Sequence, residues 1–170
     1  MTAKSHILTT VNIAGLLPLI LSNEEWWLNT HEYYYYIAGI LFGALFPDID
    51  EEHSYIGRRF YFLSVILNKI IGHRTITHNL FVYIPFIIYG YMQSSYLSIG
   101  FGVGAILHIL EDSVTNSGVK WALAPFFHHF VLLPKQLRFS TNGFFEKGVY
   151  IPVISAVTMV QIVYISRILT

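Results

Sequence analysis

The sequence predicts an all-α protein: a polytopic membrane helical bundle of about five apolar helices with a polar site facing the cytoplasm. Three observations carry this expectation. Of the 170 residues, 54% are hydrophobic and 12% charged, against roughly 25% charged in a soluble domain. Apolar runs recur between short polar segments along the whole chain. Imidazoles and carboxylates gather where those runs begin or end, a costly placement beside lipid that usually marks function.

The first run, Ile7 to Leu21, follows a single Lys4 and resembles a signal peptide. Ser22-Asn-Glu-Glu-Trp26 then offers no small-residue cleavage site, so the run reads as a helix of the mature chain. A second run covers about residues 33 to 47, and residues 60 to 71, interrupted only by Asn68 and Lys69, predict an interfacial helix. Runs at about 79 to 93 and 96 to 112 are separated by Gly90 and Ser94-Ser95, which allow the tight turn of a helical hairpin. The link from Ser113 to Lys147, with Gly118, Pro125, Pro134 and Gly143, predicts irregular chain before a last run at 148 to 169. Most runs fall below the roughly 20 residues that cross a bilayer unaided, so tilting or partial insertion is expected. Trp26, Trp27 and Tyr33 to Tyr36 suit an interfacial aromatic belt. Residues 1 to 170 form one domain, with no internal repeat or low-complexity tract.

Ten basic and ten acidic residues leave a formal charge of zero, which excludes the basic field of a nucleic-acid partner. Cysteine is absent, so any metal must be held by His, Asp and Glu. In a five-span arrangement Lys4, Arg58, Arg59, Lys69, Arg74, Lys120, Lys135, Arg138 and Lys147 share one side. The link from Ser22 to Glu32, with Glu24, Glu25, Glu32 and no Lys or Arg, takes the other. Cytoplasmic loops are enriched in Lys and Arg, which makes the N-terminus cytoplasmic. The same alternation brings His6, Asp48, Asp50, His73, His78, His108, Asp112 and Glu146 to the cytoplasmic face.

His108 and Asp112 stand one helical turn apart, a metal-ligand spacing that also serves a polar helix contact or a cap. Asp48 and Asp50 after Pro47 are ligands, a general base, or a helix stop. His73 and His78 bracket Arg74, a phosphate contact or a topology signal, and Thr77, a cap or a ligand orienter. His6 is recommended only by its side of the membrane. Taken as a set these groups favour a metal site, and nitrogen and oxygen donors suit zinc, manganese or iron. His31, His53, His128 and His129 read as solvated or interfacial, and Ser64 and Ser113 lack a nucleophile motif.

Five segments, Met1-Thr-Ala-Lys-Ser-His6, Leu45-Phe-Pro-Asp-Ile-Asp50, Gly72-His-Arg-Thr-Ile-Thr-His78, His108-Ile-Leu-Glu-Asp112 and Gly143-Phe-Phe-Glu-Lys147, together resemble the YdjM/YbcI family over nearly the whole chain. The resemblance implies an inner-membrane, metal-dependent hydrolase. That family is in turn similar to zinc-dependent phospholipase C and P1-type nucleases, whose helical cores share a His-x-x-x-Asp element. The likeness implies His6, Asp48, Asp50, His73, His78, His108 and Asp112 as metal ligands. Glu146, from the family's Gly-x-x-Glu-Lys ending, is implied as a further ligand or a loop orienter.

The combined expectation is a membrane-bound metal-dependent hydrolase of phosphoester bonds in lipid or lipid-linked substrates, using a divalent metal, zinc favoured and manganese possible. Its place is the bacterial inner membrane with the site toward the cytoplasm, and membrane lipids are its partners. Asp48 or Asp50 supplies the base, while Arg58, Arg59 and Arg74 hold phosphate at headgroup depth. The alternative is a non-catalytic membrane scaffold or regulatory protein whose metal is structural, and the two differ in whether the coordination is open or closed.

Overall fold

Short-range signals set the helix boundaries in the computed structural model, which describes residues 1–20, 29–72 and 75–169. The first helix, α1, runs Ala3–Ile20. α2, Thr30–Leu45, opens on a capping box in which the Asn29 side chain accepts the Glu32 N–H and the Glu32 carboxylate accepts the Asn29 N–H. Pro47 cannot continue an α-helical ladder, and the chain tightens there into a 3-10 turn, Phe46–Asp50. α3 (Tyr61–Ile71) follows, then a 3-10 turn at Ile76–His78 and α4 (Leu80–Met92), where the Asn79 side chain accepts the Phe81 N–H. α5 spans Tyr96–Ser113 and α6 Ile151–Leu169, the latter entered through a π-helical turn at Glu146–Tyr150.

α2 and α5 form the central pair. Gly39 and Gly43 of α2 face Gly100 and Gly104 of α5, and the backbones touch. A Cβ on Gly39 would lie 2.2 Å from the Leu97 carbonyl oxygen, and one on Gly43 2.2 Å from that of Phe101. From the other side, a Cβ on Gly100 would meet the Tyr36 carbonyl at 2.2 Å and one on Gly104 the Ile40 carbonyl at 2.5 Å. Only glycine permits this approach. α4 packs on α5, while α1 packs on α2 and α6. Ala14, Tyr36 and Ile40 fill the α1 side of the pair, and Tyr83, Ala105, Ile109, Val119 and Ala122 fill the other.

The five-span bundle expected from hydropathy is not what forms. The apolar runs do become helices, but among the described residues one stretch, Glu146–Tyr164, is long and apolar enough to cross a membrane. Its 19 residues reach about 28 Å at about 1.5 Å per residue, close to the hydrocarbon thickness of about 30 Å. α2 and α4, with 16 and 13 residues, reach only about 24 and 20 Å. α1 and α5 are longer, but their polar groups turn inward instead of leaving the helix for lipid: Ser5, His6, Thr9, Thr10 and Asn12 of α1, and His108, Glu111 and Asp112 of α5, are all buried. The alternation of sides that five spans impose therefore does not operate.

The link expected to be irregular contains an antiparallel hairpin, β1 (Val119–Leu123) with β2 (Phe127–Phe130), in register Val119 to Phe130 and Leu123 to Phe127. Its buried Val119 and Ala122 pack beneath Ile109 and Tyr83. Of the tyrosines expected as anchors, Tyr34 and Tyr35 are exposed, but Tyr33 and Tyr36 are buried and donate to the Gly15 and Ala14 carbonyls of α1. A four-residue tyrosine run on a helix cannot present one face, so half of it points inward. Trp26 and Trp27 lie outside the described residues.

Candidate metal centre

The close α2–α5 crossing delivers the first ligand. It brings the last carbonyls of α2 against α5, where His108 Nδ1–H donates to the Ala44 carbonyl oxygen at 2.6 Å. A carbonyl only accepts, so Nδ1 carries the proton and Nε2 is the ring nitrogen left to meet a cation. That Nε2 is buried, makes no hydrogen bond, and lies 3.6 Å from Asp48 Oδ1 and 4.0 Å from Asp112 Oδ2. Asp48 arrives on the 3-10 turn that ends α2, and Asp112 one α5 turn beyond His108.

His78 comes from the second 3-10 turn, fixed by Tyr83 O–H donating to the Thr77 carbonyl at 2.6 Å and by Asn79 Nδ2 donating to Ala124 beside β1. Its Nδ1 meets Thr77 Oγ1 at 3.2 Å, and that hydroxyl donates to Asp50 Oδ2 at 2.7 Å. The relay orients the ring so that Nε2 lies 3.7 Å from Asp48 Oδ1 and 3.9 Å from Asp112 Oδ2.

Asp48, His78, His108 and Asp112 thus offer four ligand atoms within 4.8 Å of one another. Donors about 2.1 Å from a tetrahedral ion stand about 3.4 Å apart, so the observed separations fit a single ion with slight contraction. The donor set, two imidazoles and two carboxylates, suits a borderline divalent metal. His78, His108 and Asp112 are at most 1% exposed, whereas Asp48 is 22% exposed and forms the edge of the site.

The other residues singled out in the sequence take different places. His6 stacks on His108 with ring centroids 3.8 Å apart, bonds Glu111 Oε2 through Nδ1 at 2.7 Å, and turns Nε2 to Asp112 Oδ1 at 3.3 Å. It borders the four-ligand group. Asp112 Oδ1 also accepts from the Met1 amine. Asp50 is fully buried behind Thr77. Glu146 lies away from the four-ligand group, accepting from the Thr2 N–H at 2.7 Å, the Asn142 N–H at 2.5 Å and the Ser5 hydroxyl. It ties the start of α1 to the start of α6. Arg58 is exposed on the rim of a cavity, Arg59 lies over the Tyr55 ring at 5.3 Å, and His73 and Arg74 fall outside the described residues. His31, His53, His128 and His129 are exposed.

Sequence reasoning overlooked Glu111, which accepts from His6 and, at 2.9 Å, from the Thr10 hydroxyl. Its signal was present, because position i+3 from His108 shares the helix face with i+4.

The electrostatics match a ligand set. Burial would raise the Asp48 carboxyl, but His108, with help from His6 and His78, holds it well below the usual carboxylate range. Burial likewise opposes ionisation of Asp112, and its hydrogen bond and attraction to His6 hold it well below. Burial and the neighbouring His108 lower His78 to about 3, only partly countered by Asp48, Asp112 and Asp50. Burial also lowers His6, yet its bonds to Asp112 and Glu111 prevail and raise it to about 9. Anionic carboxylates beside a neutral imidazole are the protonation states that a cation requires.

Helices packed about a buried imidazole–carboxylate centre, with one membrane-length helix alongside, define a membrane protein carrying a candidate metal site. The family model of the YdjM inner membrane protein matches residues 1–168, and the chain belongs to this family of bacterial inner-membrane proteins, as its motifs suggested. Similar proteins include the uncharacterized protein YvsG of Bacillus subtilis, 41% identical over 80 residues that cover 46% of this chain and 50% of that protein. The inner membrane proteins YdjM of Escherichia coli and of Shigella flexneri are each 27% identical over 175 positions, covering 89% of this chain and 83% of theirs. The chain thus spans half of YvsG and most of YdjM. No solved structure matches it.

Proposed function

We propose that the protein is a membrane-bound, metal-dependent hydrolase of phosphoester bonds in lipid or lipid-linked substrates, with its site on the cytoplasmic side. Asp48, His78, His108 and Asp112 hold the ion, zinc by preference and manganese as the alternative. The observation that carries this reading is His108: its Nδ1 is committed to Ala44, and its buried Nε2, without a hydrogen bond, points at two carboxylates. A buried polar atom left in that state is costly unless a cation completes it.

A bound divalent ion supplies Lewis acidity and offsets charge that develops on phosphoryl oxygens. The protein's own residues do the rest. Thr77 and Ala44 orient the two imidazoles, and the buried His6–Glu111 pair braces the far side of Asp112. Asp48, the partly exposed carboxylate, is the ligand nearest an incoming substrate, whereas Asp50 is engaged by Thr77. Asp48, the solvent-reached ligand of the four, is the one placed to yield a coordination position to water or substrate, which a catalytic ion needs and a structural one does not. The cytoplasmic assignment is supported by Lys4, Arg58 and Lys147, which share the Asp48 side.

The test is metal analysis of the purified protein, followed by hydrolysis assays on phospholipid, lipid pyrophosphate and nucleotide phosphodiester with and without chelator. Chelator-sensitive turnover of a lipid phosphoester is expected. A fully loaded, folded sample inert on every class would leave a scaffold with a structural metal.

A further inference from the structure

Asp48 is also part of the wall of a cavity of about 790 Å³. This cavity is the approach to the centre, because the other three ligands are sealed from solvent. Three cations from separate elements converge on it: Lys4 from the first turn of α1, Arg58 from the segment after the Phe46–Asp50 turn, and Lys147 from the π-helical entry to α6. Against them the wall carries only two carboxylates, Asp48 and Glu51. With Asp48 committed to an ion, the wall is net positive. Among the described residues neither lysine has a carboxylate partner, and the polar contact of Arg58 is a long bond, 3.3 Å, to the Ser54 carbonyl. Basic side chains gathered at a cavity without acidic partners are suited to an anionic ligand. Ile151, also in the wall, belongs to the Glu146–Tyr164 stretch close to its first residue, so the cavity opens where the membrane-length helix begins.

We propose that Lys4, Arg58 and Lys147 form the anion-recognition subsite of this centre and receive a phosphate group presented at the membrane surface. The identity of the anion rests on the phosphoesterase reading, while its position rests on the cavity. Arg58 supplies a planar fork for two phosphate oxygens, and the lysines act as point charges on either side. The phosphate has two sources, the headgroup of a membrane lipid or a free phosphate, and both present the same oxygens.

The test is calorimetric titration of the detergent-solubilised full chain, metal content measured, with dihexanoyl phosphatidic acid and separately with inorganic phosphate. Wild type is expected to bind, and Lys4→Gln, Arg58→Gln and Lys147→Gln are each expected to weaken binding about tenfold at unchanged metal content. Lys4→Arg and Lys147→Arg should restore it, and Lys135→Gln, an exposed cation elsewhere, should leave it unaltered. Tighter binding of phosphatidic acid than of phosphate assigns the lipid source, and equal binding assigns the free one. A triple Gln variant that binds both probes like wild type, or a loaded wild type that binds neither, overturns the subsite. Turnover in the same samples separates the two readings. Cation-dependent binding without hydrolysis removes the hydrolase and leaves the subsite. Hydrolysis with unchanged KM in the triple variant does the reverse.

Discussion

Thr77 illustrates how little chemistry is needed to orient a ligand. Its hydroxyl stands between His78 Nδ1 and Asp50, so Thr77→Val removes the relay at nearly constant volume. Metal affinity is expected to fall about 10-fold to 100-fold at unchanged stoichiometry, read by competition with a chromogenic chelator. An affinity equal to wild type would reduce Thr77 to packing. His108→Ala and Asp112→Ala should each abolish stoichiometric metal, and the double variant should lose no more than either alone, because both remove the same ion. At this scale the sequence was partly legible. Helical spacing exposes the His108–Asp112 pair directly. It does not separate Asp48 from Asp50, since the tight turn after Pro47 sends one to the cavity and the other behind Thr77. Glu146 was legible as a charged residue at a helix entry, but not as a clasp, because its three donors come from distant or irregular chain.

Among the elements, the α2–α5 crossing governs the centre. Gly43→Ala forces a methyl to within 2.2 Å of a backbone oxygen, and the helices must part. The expected loss is about 1 to 3 kcal/mol of stability, read as a lower thermal midpoint, with bound metal falling as Ala44 withdraws from His108. Gly148→Ala, where the new Cβ meets the Phe144 ring at 3.5 Å, is the tolerated comparison. Equal midpoints for the two variants would show that the crossing relaxes freely. Hydropathy located every long helix to within a few residues, because apolar runs and their Asn, Pro and Gly boundaries are local signals. It misjudged what the helices face. Tertiary partners such as Thr9 to Tyr150 at 2.5 Å and Asn12 to Thr158 at 2.5 Å consume the polar side of α1, and a sum along the chain contains no such partners. The paired Gly-x-x-x-Gly spacings, Gly39 with Gly43 and Gly100 with Gly104, were the available sign of intimate helix packing.

For the whole molecule, α6 carries the membrane argument. Val157 is 47% exposed within the Glu146–Tyr164 stretch, and an arginine in mid-span costs about 2.5 to 3.5 kcal/mol on insertion scales. Val157→Arg should therefore raise the fraction of protein released from membranes by alkaline carbonate. Release no greater than wild type would place the attachment on the exposed apolar faces of α3 and α4 instead.

The Glu146 clasp also has a consequence in time. Thr2 and the carboxylate it meets are 144 positions apart, and His6 and Glu111 are 105 apart. At about 5 to 20 residues per second, Thr2 is added to the chain roughly 7 to 30 s before the acid that anchors it has been made. For most of that interval the polar stripe of α1 lacks these partners, Glu111 being made first and Glu146 later. The final closure of the molecule is thus an event that follows synthesis, when the last segment returns to collect the first.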